Sequence, residues 1–299
     1  MKYKGLIAYL VIITVLSLGF ILLMKLLGEK GNYLAALYML GPAIAAVITR
    51  VFFYDKKFKD ANLRVGKITN YVKFWATALT VTTLSFIIFT LLRSISWDFS
   101  GQVFLNQLAE QFTLLGKDIN DLPGSLTPKM MLVIYFIGGL TIFNFIPGII
   151  TGFGENFGWR GFLFPELYKI KPWFGFVIGG LIWYLWHIPL ILVMPQTQSF
   201  TISQTIINGV VLAIGSICTH TFLSYVYIKS QNIFVTSVAH ITLDNAARSF
   251  AYFVILNNQL TANIGLTTTM LIVVAILYFS KEWEVFSKYF EKEKLDWIK

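Results

Sequence analysis

From residue 172 to residue 228 the chain contains no Asp, Glu, Lys or Arg. About 20 apolar residues are enough for a helix to cross a bilayer, so this single stretch holds two crossings. Pro195-Gln196-Thr197-Gln198-Ser199 interrupts it with turn-forming and polar residues and marks the cut. Runs of the same kind recur along the chain and predict helices over about 5–27, 33–53, 72–92, 130–153, 172–194, 203–228, 231–251 and 261–280. Charged residues make up 13% of the 299, against about 25% in soluble domains. The mean hydropathy is +0.68. The expected fold is therefore all-α: a polytopic membrane helix bundle of about eight transmembrane helices.

The N-terminal run from Gly5 to Met24, behind Lys2 and Lys4, is longer than the 7–15 residues of a signal h-region, and no small-x-small cleavage site follows. It reads as a retained first helix. Eight spans with a cytoplasmic N-terminus place 17 of the 24 Lys and Arg inside and 5 outside, with Arg160 and Arg248 at or within spans. That bias is the one the positive-inside rule requires, so both termini are expected in the cytoplasm. The pI of 9.4 then reflects topology and contact with anionic membrane lipid rather than nucleic acid. The lone Cys218 provides no disulfide and no Cys-rich metal site.

Two connecting segments are long. Phe104, Leu108, Phe112 and Leu115 recur at helical spacing in the outer loop, either as an interfacial amphipathic helix or as a packed loop helix. The segment from Lys281, with Trp283 and Trp297, reads as an interfacial or solvated tail. No internal repeat is present, and residues 1–299 are expected to form one membrane domain in a multi-pass protein of the cell membrane. The sequence sets no oligomeric state.

Few polar groups fall within the spans, and intramembrane charge is expensive enough to mark function. Glu155, Asn156 and Arg160 sit at the end of span four in Gly154-Glu155-Asn156-Phe157-Gly158-Trp159-Arg160-Gly161. His187 follows Trp183 by four residues in span five, and His220 lies in span six. In span seven His240, Asp244 and Arg248 are spaced i, i+4 and i+8 on one helical stripe, with Asn245 one residue round. This stripe is expected to face the bundle interior or a wet cavity; its alternative is an interhelical polar clamp. Glu155 is a candidate general base for a water. His187 could share that work or bind a metal, and His240 with Asp244 or Asn245 could serve an oxyanion or a metal. The chain has no Gly-x-Ser-x-Gly and no His-Glu-x-x-His, which leaves water as the economical nucleophile.

These residues resemble the three motifs of the CPBP family (CAAX prenyl protease and bacteriocin-processing, or Abi). Gly154 to Phe162, with Pro165 and Leu167, is similar to its Glu-Glu-x-x-x-Arg. Trp183 to His187 is similar to its aromatic-x-x-x-His, and His240 to Asp244 to its His-x-x-x-Asn or His-x-x-x-Asp. The resemblance implies an eight-helix intramembrane endopeptidase with a protease-like core at about 130–251 and a cavity opening to the cytosolic side. It implies that Glu155 and His187 activate water, that His240 and position 244 stabilise the oxyanion, and that Arg160 orders the site.

Two departures stand out. Asn156 replaces the second Glu, leaving Arg160 to find another partner. Asp244 stands where Asn is frequent, and an ionised Asp cannot donate to an oxyanion. In that case Asn245 turns in, or Asp244 orients His240, or a divalent metal such as zinc is held by Glu155, His187, His240 and Asp244. The expected substrate is a membrane-associated or secreted peptide or protein, in CAAX-type processing or in bacteriocin maturation or self-immunity. A non-catalytic immunity or binding protein that kept the fold is the alternative.

Overall fold

The computed structural model describes residues 3–28, 31, 34–114, 118, 127–141, 145–193, 200–289 and 291. The break expected at 195–199, Leu115 of the outer loop and Trp297 of the tail lie outside these residues. The elements in chain order are α1 (Lys4–Leu27), α2 (Ala35–Tyr38), α3 (Gly41–Phe53), α4 (Ile68–Leu91), β1 (Ile95–Trp97), α5 (Gln102–Leu114), α6 (Pro128–Leu140), α7 (Phe145–Gly158), α8 (Phe164–Ile170), α9 (Gly179–Val193), α10 (Ile202–Ser230), α11 (Ile233–Ala251), β2 (Val254–Leu256) and α12 (Gln259–Phe279). π-helical turns at Trp159–Leu163 and Phe174–Ile178 join α7 to α8 and lead into α9.

The protein is an all-α polytopic bundle. Among the described residues, six helical stretches are long and apolar enough to cross a membrane. Two of the eight expected spans fall outside that set for physical reasons. The fourth is divided, with α6 only 13 residues long. The seventh, α11, carries the polar stripe of His240, Asp244 and Arg248 and is enclosed by α4, α6, α7 and α10 instead of lipid.

The outer helices show why the class was legible. Leu6, Tyr9, Ile13, Ser17 and Met24 of α1 are buried, while Ile7, Val11, Val15, Leu18, Leu22 and Leu26 form an exposed stripe on the other face. A helix apolar on both faces is stable only where its outer face meets hydrocarbon. Inside, packing relies on small residues. Gly148 and Gly152 of α7 meet Ile241 of α11, and a Cβ on Gly152 would lie 2.5 Å from its Cγ1. On the opposite side Gly154 meets Met39 and Leu40, and Gly158 meets Pro42. Two small-xxx-small pairs thus let α7 lie flat between α3 and α11.

The loops meet at two ends. At one end Arg64 Nε donates to the Gln231 carbonyl (3.1 Å), Asn62 Nδ2 to Tyr227 Oη (2.8 Å), and Lys229 Nζ pairs with Glu282 (2.8 Å). At the other end β1 and β2 pair antiparallel, Ile95 opposite Leu256, in a short ribbon tying α4 to α12. Helix α5 packs there rather than lying free: Phe104 and Leu108 are buried, and Phe104 stacks edge-on to Tyr252 at 5.2 Å. The C-terminal segment, expected as an interfacial or solvated tail, packs on the bundle through its described residues 281–289. Phe286 is buried, and its carbonyl accepts from Tyr168 Oη at 2.8 Å, because Trp283, Phe286 and Tyr289 share one helical face. Buried residues from Leu6 to Tyr289 form one hydrophobic cluster.

Candidate active site

Glu155 and Asn156 lie within a helical run from Phe145 to Ile170, not at its end. The glycines that suggest a break are there to allow close packing, so the helix continues. Fifteen further residues put Glu155 roughly 20 Å from its end. Within the run, Pro165 has no N–H to give the Gly161 carbonyl four residues back. The buried Arg50 of α3 reaches that carbonyl instead (2.5 Å) and also pairs with Asp60 at 2.5 Å. The π turn is thereby held by a side chain from another helix.

Trp183 is the hub of the site. Its indole Nε1 donates to Glu155 Oε2 at 2.8 Å. The ring centroids of His187 (5.5 Å), His240 (5.6 Å) and His220 (6.2 Å) surround it. Arg160 places its guanidinium 4.4 Å from the indole centroid. The three guanidinium nitrogens have no hydrogen-bond acceptor among the described residues. With Asn156 in place of a carboxylate, Arg160 rests its guanidinium on the π face of Trp183, a contact worth about 2 kcal/mol when desolvated.

His187 Nδ1 lies 2.8 Å from the Trp183 carbonyl. A carbonyl only accepts, so Nδ1 carries the proton and Nε2 of the neutral ring offers its lone pair. That Nε2 is 4.0 Å from Glu155 Oε2, room for a water hydrogen-bonded to both. The helix is held from behind: Tyr38 Oη donates to the Trp186 carbonyl (2.6 Å), and Trp186 Nε1 donates to Ser17 Oγ (2.9 Å).

His240 has the opposite proton placement. Asn156 Nδ2 donates to the Gly152 carbonyl at 2.7 Å, which fixes the amide orientation. Its second hydrogen faces His240 Nδ1 at 3.0 Å. Nδ1 is then the acceptor and Nε2 carries the proton. Asp244 Oδ2 stands 3.8 Å from that Nε2. Arg248 shares the cavity wall with Asp244. Asn245 does not line it; a Cβ on Gly148 would lie 3.3 Å from Asn245 Nδ2, so this side chain faces α7.

Glu155, Trp183, His187, His240 and Asp244 line one cavity of about 860 Å³. Its other walls come from α4, α10, α11 and α12, and its lining reaches Gln107, Leu256 and Gln259 at the ribbon end. The resemblance implies an opening toward the basic-loop end. There Phe58, Phe157, Phe153 and Phe234 stack in succession at 5.4 to 6.4 Å and pack the space between the 54–67 loop, α7 and α11. A metal would need three or more donors within about 2.0–2.2 Å of one point. Among the described residues no three carboxylate, imidazole or thiol groups converge in this way, and His240 Nδ1 is committed to Asn156. The expected set of Glu155, His187, His240 and Asp244 does not fit a metal as placed.

Residues 137–246 match the family model described as type II CAAX prenyl endopeptidase Rce1-like. That model is of the CPBP family, to which this stretch is similar. The CPBP match contains all three motifs read from the sequence, from Glu155 through Asp244. The match supports the role of an intramembrane protease in a multi-pass membrane protein. No curated protein matches the chain. Sequence reasoning missed Ser17, Tyr38 and Arg50, which lie outside the CPBP match and reach the site elements through single long-range hydrogen bonds. Only the burial of polar residues within apolar runs hinted at them.

Proposed function

We propose that the chain is an intramembrane endopeptidase of the cell membrane in which Glu155 and His187 activate a water. The observation that carries this reading is the 4.0 Å gap between His187 Nε2 and Glu155 Oε2 on the wall of one cavity shared with His240. A water there gives one proton to Glu155 as its oxygen bonds to the scissile carbonyl carbon. His187 Nε2 accepts the second hydrogen and orients the attack. The His240 Nε2–H donates to the oxyanion that forms. Collapse breaks the C–N bond, and the proton held by Glu155 passes to the leaving nitrogen. Asp244 Oδ2, 3.8 Å from His240 Nε2, is too far to take its hydrogen and leaves the N–H to the oxyanion. The mechanism is of the glutamate type and requires no metal ligand set. The substrate class is a membrane-associated peptide, with prenylated Cys-aliphatic-aliphatic-X termini and secreted leader or bacteriocin peptides as the two candidates.

The test is a peptidomic comparison of cells carrying the wild-type chain and Glu155→Gln. The amide cannot take the proton, so products should disappear while expression and thermal stability are kept. Wild-type product levels from Glu155→Gln would refute the base. The alternative, a non-catalytic immunity protein, draws on Asn156 standing where the family has a carboxylate. Complementation separates the two: an immunity phenotype retained by both Glu155→Gln and His240→Ala would favour the non-catalytic reading.

A further inference from the structure

His220 is fully buried on α10 and has no part in the proposed chemistry. It nevertheless packs on Trp183, as His187 and His240 do. Its Nε2 lies 3.1 Å from the Gly175 carbonyl, which can only accept, so Nε2 carries the proton. Gly175 belongs to the π turn Phe174–Ile178. An α-helix would direct the Gly179 N–H to Gly175 O; here that N–H goes to Phe174 O and Phe176 O instead. His220 supplies the Gly175 carbonyl with a donor. One turn earlier on α10, Ser216 Oγ donates to the Gly180 carbonyl at 3.1 Å. Gly179 and Gly180 let α10 approach this closely: a Cβ on Gly179 would lie 2.8 Å from His220 Nε2, and one on Gly180 2.6 Å from Ile217 Cα.

The consequence lies downstream. A π turn inserts one residue into a helix and rotates everything after it by about 100°. Trp183 and His187 follow this turn on the same helix, and both face Glu155. If the turn relaxed to α-helix, both side chains would swing off the site. We infer that His220 is a positioning residue: its hydrogen bond to the Gly175 carbonyl locks the π turn that aims Trp183 and His187 at Glu155. The catalytic half of this inference rests on the proposed function; the structural half does not.

The experiment reads the indole ¹H–¹⁵N resonance of Trp183 in the full chain in detergent micelles, assigned by its loss in Trp183→Phe. Glu155→Gln establishes how far the signal moves when its acceptor changes. His220→Phe keeps the ring and removes the donor, and should displace or broaden the resonance. His220→Gln keeps a side-chain N–H donor and should bring it back. Cleavage of a farnesylated Cys-Val-Ile-Met peptide should follow, with kcat reduced on the order of tenfold to a hundredfold in His220→Phe, KM little changed, and partial recovery in His220→Gln. If His220→Phe does not fold, Gly179→Ala displaces the imidazole through the 2.8 Å contact and is read in the same way. An unmoved Trp183 resonance in whichever of these variants folds would overturn the inference. The spectroscopic readout needs no substrate. If Glu155→Gln still cleaves while His220→Phe moves the indole signal, the proposed function fails and the positioning role stands.

Discussion

Asn156 is the residue at which the sequence and the coordinates give different impressions. Read against the family motif it is a lost carboxylate. In place, its amide nitrogen bridges the Gly152 carbonyl and His240 Nδ1 and leaves the His240 proton on Nε2, facing the cavity. A Glu at 156 would accept from Nδ1–H and move that proton away from the cavity. Asn156→Glu is therefore expected to switch His240 from the Nε2–H to the Nδ1–H tautomer. Histidine ¹³C and ¹⁵N shifts, with the His240 signals identified by their loss in His240→Ala, check this; an unchanged tautomer would refute the assignment. Asn156→Leu removes the donor outright and should cost about 1–3 kcal/mol, read as a lower Tm. Glu155, His187 and His240 were legible because polar residues in apolar runs are rare enough to count. The tautomers were not, since they depend on which carbonyl or amide stands opposite, and Gly152 and Trp183 contribute only backbone there.

The helices themselves were visible in the hydropathy, because each must bury or expose a continuous apolar surface of bilayer length. The two π turns were not, since nothing in a residue pattern separates an inserted residue from an ordinary turn. Pro165 was the one available signal, as it leaves the Gly161 carbonyl without its helical donor. The continuation of α7 through Gly154 and Gly158 was also hidden, because glycine marks both breaks and close approaches. These two meanings make opposite predictions. If Gly154 were a break, a larger side chain would be tolerated. In the bundle its Cβ would fall 2.7 Å from the Met39 carbonyl, so Gly154→Leu should destabilise by about 1–3 kcal/mol in a thermal-shift assay on the purified protein.

The Arg50–Asp60 pair at the end of α3 provides a pH test. Burial pushes the Asp60 carboxyl up, but the Arg50 charge and hydrogen bond, helped by the Tyr54 hydroxyl, outweigh it and leave the group below its ordinary value. A depressed carboxylate contributes stability above the unfolded Asp value of about 3.9, and that contribution is lost as pH falls through the folded value. Wild-type Tm should drop more steeply than that of Asp60→Asn on acidification below about pH 4. Parallel curves would show that the pair contributes nothing.

At the scale of the whole molecule, the bundle has two unlike ends. One gathers the 54–67 loop, Lys169, Lys229 and the segment from Lys281, tied by the contacts of Arg64, Asn62 and Glu282. The other carries the β-ribbon and α5. This division is the one the charge count requires, and we propose the basic end as the cytoplasmic one. The sequence could assign charges to sides but not depth to the site. Depth follows from the helical run to Ile170, which draws Glu155 inward, and from the aromatic stack of Phe58, Phe157, Phe153 and Phe234 beneath it. The native Cys218 is buried, so an introduced cysteine is the reactive one. Lys57→Cys should react with a membrane-impermeant maleimide only in inside-out vesicles, and Phe99→Cys only in intact cells. The reverse pattern would invert the topology. It would also change how substrate reaches the site: the cavity lining extends toward the Phe99 end, so the side on which Phe99→Cys is labelled is the side toward which the cavity extends from Glu155.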